Sequence, residues 1–121
     1  MTEKLLIMVT HGPDEPERAT IPFVMATTSQ ALEVEVVMGF QADGVLLMKK
    51  GVAELMQAPA FPPLKTLLDA YIEAGGQMLA CAPCVKSRGI IPETDLVEGA
   101  KVVNAATMVK ECTQATHVLT Y

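Results

Sequence analysis

The sequence predicts an α/β fold built on a mainly parallel sheet of five to six strands with helices on both faces. Three observations predict it. Short apolar runs bounded by turn residues recur along the chain, beginning with Lys4 to Thr10, as suits strands covered on both faces. Leu64, Leu67, Leu68, Tyr71 and Ile72 follow the i, i+3, i+4, i+7, i+8 spacing of one buried helix face. Strand and helix patterns alternate, which calls for right-handed crossovers between parallel strands.

The first strand ends at His11-Gly12-Pro13-Asp14. A helix should open near Pro16, where proline is tolerated in the first turn, and run to about Leu32. Pro22 lies inside it, so the helix either kinks there or begins with Thr20 as its cap. Glu33 to Met38 reads as a second strand ended by Gly39, and Gly44 to Met48 as a third closed by Lys49-Lys50-Gly51. Gly51 to Pro63 is irregular, with a short helix at Val52 to Met56. The Leu64 helix stops at Gly75-Gly76. A fourth strand spans Gln77 to Ala80 or Cys81, and about one helical turn covers Val85 to Arg88. A short helix or loop around Thr94 to Val97, a strand at Lys101 to Asn104, a helix from Ala105 to Gln114 and a terminal strand His117 to Thr120 complete the chain.

At 121 residues, half of them hydrophobic, the chain is expected to form a single domain over 1–121 with a buried core. No Trp, two Tyr, three Phe and eight Met make that core aliphatic, with Met available for irregular gaps and subunit contacts. The net charge of −5 and the lack of any basic stripe beyond Lys49-Lys50 argue against nucleic acid, which needs clustered cations. A small anionic ligand stays open. The apolar start, Leu5 to Val9, is too short for a secretory signal and nothing approaches a membrane span of roughly 20 residues. With three cysteines and no leader, a cytoplasmic protein without a disulfide framework is expected. No Gly-x-Gly-x-x-Gly or Walker-type motif is present, so no nucleotide cofactor is expected.

Cys81-Ala82-Pro83-Cys84 sits where a strand gives way to a helix, the end at which open parallel sheets gather reactive groups. Helical N–H groups near Cys84, with Lys86 and Arg88 close by, favour thiolate over thiol, as a sulfur nucleophile or persulfide carrier requires. Three other readings compete. The spacing also serves thiol–disulfide exchange. Zinc would need further ligands from Cys112, His11 and His117, and one cysteine pair is a weak metal signal; no metal is expected. Free cysteines are often simply buried core.

The chain as a whole resembles the DsrE/DsrF/TusD-like sulfur-relay family. The matching segments are Asp14-x-Pro16-x-Arg18-Ala19, Pro22-Phe23, Met25-Ala26, Gly39-Phe40, Asp43-Gly44-Val45 and Cys81-x-x-Cys84-x-x-x-Arg88-Gly89, with Gly99-Ala100 to Val109 and Val118-Leu119 closing the pattern. The resemblance implies a flavodoxin-like, DsrE/YchN-like three-layer domain that assembles into homotrimers, hexamers or hetero-oligomers. It also implies that Cys84 accepts persulfide sulfur from a donor protein and passes it to an acceptor. Cys81 departs from the single-acceptor pattern and allows a Cys81–Cys84 disulfide as a discharged or resting state. His11, on a strand expected beside that of the cysteines, is a candidate to orient or deprotonate Cys84, against a plain role in capping the turn. Arg88, Lys86 and Gly12 are candidates to hold an anionic substrate. Asp14 and Glu15 are expected to cap the first helix, Cys112 to lie in core, and His117 has no assigned role. A non-catalytic binding or assembly module with redox-sensitive cysteines is the competing class, and a small thiol–disulfide oxidoreductase a third.

Overall fold

A computed structural model describes residues 2–121. Its strands are β1 (Lys4–Val9), β2 (Glu35–Phe40), β3 (Gln77–Cys81), β4 (Ala100–Val103) and β5 (His117–Thr120), and its helices α1 (Pro16–Ala31), α2 (Leu64–Glu73), α3 (Ala82–Ser87), α4 (Pro92–Asp95) and α5 (Ala105–Gln114). The strands form one sheet in the order β4-β3-β2-β1-β5, and every pairing is parallel. All strand C-termini therefore open on one edge. Among the described residues no helix is long and apolar enough to cross a membrane.

Side chains alternate across the sheet with the period of two that a pleated strand imposes. Ile7, Val9, Val36, Met38, Phe40, Met78 and Ala80 enter the larger core, with Phe23 and Ala26 of α1 and Leu64, Leu68 and Tyr71 of α2. Leu6, Met8, Val37 and Leu79 enter a smaller cluster with Met108 of α5. Tyr71 is fully buried; its ring meets Phe23 edge-on at 6.3 Å and its hydroxyl donates to the Gln77 carbonyl at 2.6 Å.

Two sequence expectations are corrected, and one open alternative is decided. The apolar run Gly44 to Met48 is no strand: Ala42–Met48 forms a 3₁₀ segment whose Val45, Leu47 and Met48 are buried. A short apolar run fits a buried strand and a buried helical turn equally well by periodicity. The sheet thus has five strands, and the cysteines follow the third rather than the fourth. Gly39 does not stop β2, which continues to Phe40. A Cβ there would lie 2.9 Å from the Met108 sulfur and 3.0 Å from that of Met8, so glycine makes room for α5. Finally, α1 begins at Pro16 and runs through Pro22; Thr20 is inside it, its hydroxyl donating to the Pro16 carbonyl at 2.7 Å.

Candidate functional site

β3 ends at Cys81, whose extended backbone (φ −64°, ψ 122°) makes it the N-cap of α3, with proline in the first turn. Cys84 is the third helical residue, so the first turn folds its sulfur back toward Cys81. Across this turn each thiol shifts the other: Cys81 lowers the pKa of Cys84, and Cys84 raises that of Cys81. Both cysteines are half-buried and reduced.

A second donor reaches Cys84 from another element. Ala42, directly after β2, gives its backbone N–H to Cys84 Sγ at 3.3 Å. Its φ is 50°, in the left-handed region that disfavours a residue bearing a Cβ. The Cys81 thiol, the Ala42 N–H and the positive charge of Arg88 hold the Cys84 thiol below its ordinary acidity range, against burial, which pushes it up. Cys81 moves the opposite way: burial raises it first, and its bond to Cys84 adds to the effect because a thiolate could not donate. The pair is therefore polarised: Cys84 gives up its proton before Cys81 does.

Arg88 fastens the loop to the helix. Its Nε and Nη2 both donate to Asp43 Oδ1, at 3.1 and 3.0 Å, while Nη1 donates to the Cys84 carbonyl at 3.2 Å. The guanidinium fork is thus committed to protein partners rather than left open for a ligand. Asp43 and Ala42 are the site residues that sequence reasoning missed. The Asp43-Gly44-Val45 motif was visible, but reading it as the start of a strand hid the loop. A backbone donor such as Ala42 N–H leaves no side-chain signal at all.

The remaining candidates are placed as follows. His11 lies at the same sheet edge, but β2 separates β1 from β3, contrary to the expected adjacency. Its Nδ1 pairs with Asp14 Oδ2 at 3.0 Å, and it makes no hydrogen bond to Cys84. Asp14 Oδ1 accepts the Gly12 N–H at 2.8 Å, so Asp14 braces the turn instead of capping α1. Glu15 occupies the N-cap position without a side-chain cap bond. Gly12 is buried, its N–H is already used, and a Cβ on it would collide with the Asp43 carbonyl. It serves close approach between the two loops. Lys86 is exposed and lines a groove on the far side of α3 with Ile90, Ile91 and Val102. Cys112 is half-buried on α5 against the smaller cluster, and His117 is exposed on edge strand β5. Among the described residues no three His, Cys, Asp or Glu side chains group to hold a metal ion. A pocket of about 100 Å³ beside Cys81 is lined by Gln41, Pro83, Val103, Asn104, Ala105 and Met108.

A five-stranded parallel sheet with a polarised thiol pair at its C-terminal edge defines the class of this protein. Over residues 3–121 the chain matches the model of the DsrE/DsrF-like family, and it belongs to that family. It is 31% identical over 119 residues to an uncharacterized protein of Methanocaldococcus jannaschii, MJ0989, covering 98% of this chain and 99% of the relative. An uncharacterized protein of Methanopyrus kandleri, MK0008, is 30% identical over 115 residues, covering 95% and 91%. The fold is shared with the crystal structure of YchN from E. coli, with a TM-score of 0.81, 19% identity, and 99% and 100% of the two chains covered. It is shared also with MTH1491 of Methanobacterium thermoautotrophicum, a protein of unknown function, with a TM-score of 0.77, 15% identity, and 98% and 99% covered.

Proposed function

We propose that this protein, a member of a family associated with sulfur relay, carries sulfane sulfur as a persulfide on Cys84. The observation that carries the reading is the Cys84 sulfur itself: half-buried, facing the Ala42 N–H at 3.3 Å, and held below ordinary thiol acidity by the Cys81 thiol, Ala42 and Arg88. In its thiolate form Cys84 attacks the terminal sulfur of a donor persulfide, and the donor leaves as its own thiolate. The new terminal sulfur carries the negative charge and is passed on when an acceptor thiolate attacks it. His11, bound to Asp14, has no part in this step.

Partners belong to the same reading. The groove beyond α3, about 580 Å³, is walled by Val85, Ile90, Ile91, Pro92 and Val102, and Ile91 is 55% exposed. This supports self-association through that face, the trimer or hexamer being what the family resemblance implies, with the cysteine edge left to sulfur donors and acceptors. Ile91→Asp should lower the sedimentation coefficient if copies meet there.

The test of the carrier is intact mass after brief exposure to inorganic polysulfide. An adduct heavier by about 32 Da, the persulfide rung of thiol oxidation, is expected on the wild type at early times and on Cys81→Ser. It should be absent from Cys84→Ser and removed by a dithiol. A chain that takes up no sulfur on Cys84, in wild type and Cys81→Ser alike, is not a carrier.

A further inference from the structure

We infer that Cys81 is a resolving thiol: it attacks the inner sulfur of a persulfide on Cys84, closing a Cys81–Cys84 disulfide and releasing hydrosulfide. The inference rests on the reading of Cys84 as the sulfane acceptor, and it adds a second fate for the carried sulfur, namely reduction to sulfide instead of transfer.

Position carries the argument. Cys81 is the N-cap of α3 and Cys84 the third residue of its first turn, and residues three apart on a helical turn are neighbours. Each thiol shifts the other's acidity, as two sulfurs on one helical turn do. Attack therefore needs a shift of two side chains and no rearrangement of the fold. An intramolecular thiol so placed competes with any external acceptor at high effective concentration.

The step balances. The Cys81 Sγ–Cys84 Sγ bond forms and the bond from Cys84 Sγ to the outer sulfur breaks. The bonding pair leaves with the outer sulfur, which departs as hydrosulfide with the proton given up by Cys81. The two cysteine sulfurs are oxidised and the sulfane sulfur is reduced. A dithiol reductant returns the pair to its reduced form. Because burial and the neighbouring Cys84 raise the Cys81 thiol, its attacking thiolate is less abundant than that of an ordinary cysteine. Discharge then acts as a slow timer, and an acceptor that arrives promptly still receives the sulfur.

The test uses the full chain in a Cys112→Ser background, so that only Cys81 and Cys84 can pair. The protein is loaded with inorganic polysulfide, desalted, and followed without reductant by intact mass and by hydrosulfide release. The adduct should give way to a species about 2 Da lighter than the reduced chain, with about one equivalent of hydrosulfide, as disulfide closure requires. The rate should rise roughly tenfold per pH unit below the Cys81 pKa, following its thiolate fraction. Cys81→Ser, which keeps a hydroxyl donor, should hold the adduct and release hydrosulfide at least about tenfold more slowly, the intramolecular advantage being lost. An adduct equally long-lived in both proteins overturns the resolving role and leaves the carrier intact. Failure of both proteins to take up sulfur on Cys84 overturns both.

Discussion

A single carboxylate oxygen, Asp43 Oδ1, receives both the Nε–H and the Nη2–H of Arg88, at 3.1 and 3.0 Å, across 45 residues of sequence. The pair ties the loop after β2 to the helix that carries Cys84, and so keeps the Ala42 N–H on the sulfur. Asp43→Asn should free Arg88 and let that donor drift. The pair is part-exposed, with side-chain accessibilities of 27% and 43%, so its loss costs about 0.5–1 kcal/mol. Alkylation of Cys84 by iodoacetamide at pH 7 should slow by about two- to fivefold, since about 1.4 kcal/mol is a factor of ten. The midpoint of its pH–rate profile should move up.

The polarised thiols make a signed prediction for pH. Cys84 is lowered, so its alkylation should reach half-maximum below the ordinary thiol range, and Cys81 should react only at higher pH. For Cys84 the folded pKa lies below the unfolded one. Its contribution to stability is present above the unfolded value and fades as pH falls through the folded value. Cys81→Ala removes the largest cause of the lowering and should raise the Cys84 midpoint. Cys81→Ser should raise it less, because the hydroxyl still donates. Peptide-resolved alkylation between pH 5 and 10 measures both, the range over which thiols titrate being about that wide.

His11→Gln separates the turn from the thiols. Asp14 is held below the usual carboxylate range, first by its bond to His11 and then by the Gly12 N–H. Its contribution to stability is present above the unfolded carboxylate pKa and is lost as pH falls through the folded one. The variant should weaken the fold on the acid limb of a melting-temperature profile while leaving the Cys84 alkylation profile unchanged. A shifted Cys84 midpoint would restore His11 to the mechanism.

Two substitutions probe the frame. A Cβ on Gly44 would run into the Val9 carbonyl, so Gly44→Ala should cost about 1–3 kcal/mol by overpacking, read as a lower denaturation midpoint. Tyr71→Phe leaves the Gln77 carbonyl without its 2.6 Å donor in a part-buried setting and should cost about 0.5–1.5 kcal/mol. Tyr71 lies away from the thiols, so the Cys84 profile of the folded Tyr71→Phe protein should match the wild type.

The parallel α/β sheet was legible because its strands are apolar runs between unambiguous turns and α2 repeats with helical periodicity. The cysteine pair was legible for the same reason, since Gln77 to Cys81 reads as a strand and Pro83 marks the turn. What stayed hidden depends on contacts distant in sequence. Val45, Leu47 and Met48 are buried in a 3₁₀ segment, which apolarity alone does not distinguish from a strand. Gly39 reads as a stop until Met108 is seen against it. Arg88 and Lys86 look equivalent in sequence, yet one is locked on Asp43 and the other faces solvent.

Ala42 holds its N–H on Cys84 from a left-handed backbone, φ 50°, a conformation that costs an L-residue with a Cβ about 1–2 kcal/mol. Glycine would sit there without penalty. Replacing Ala42 with Gly should therefore relieve local strain and let the loop sample orientations in which the sulfur loses its donor. At this position heat tolerance and thiol acidity pull in opposite directions, and a library selected for thermal endurance alone would trade the second for the first.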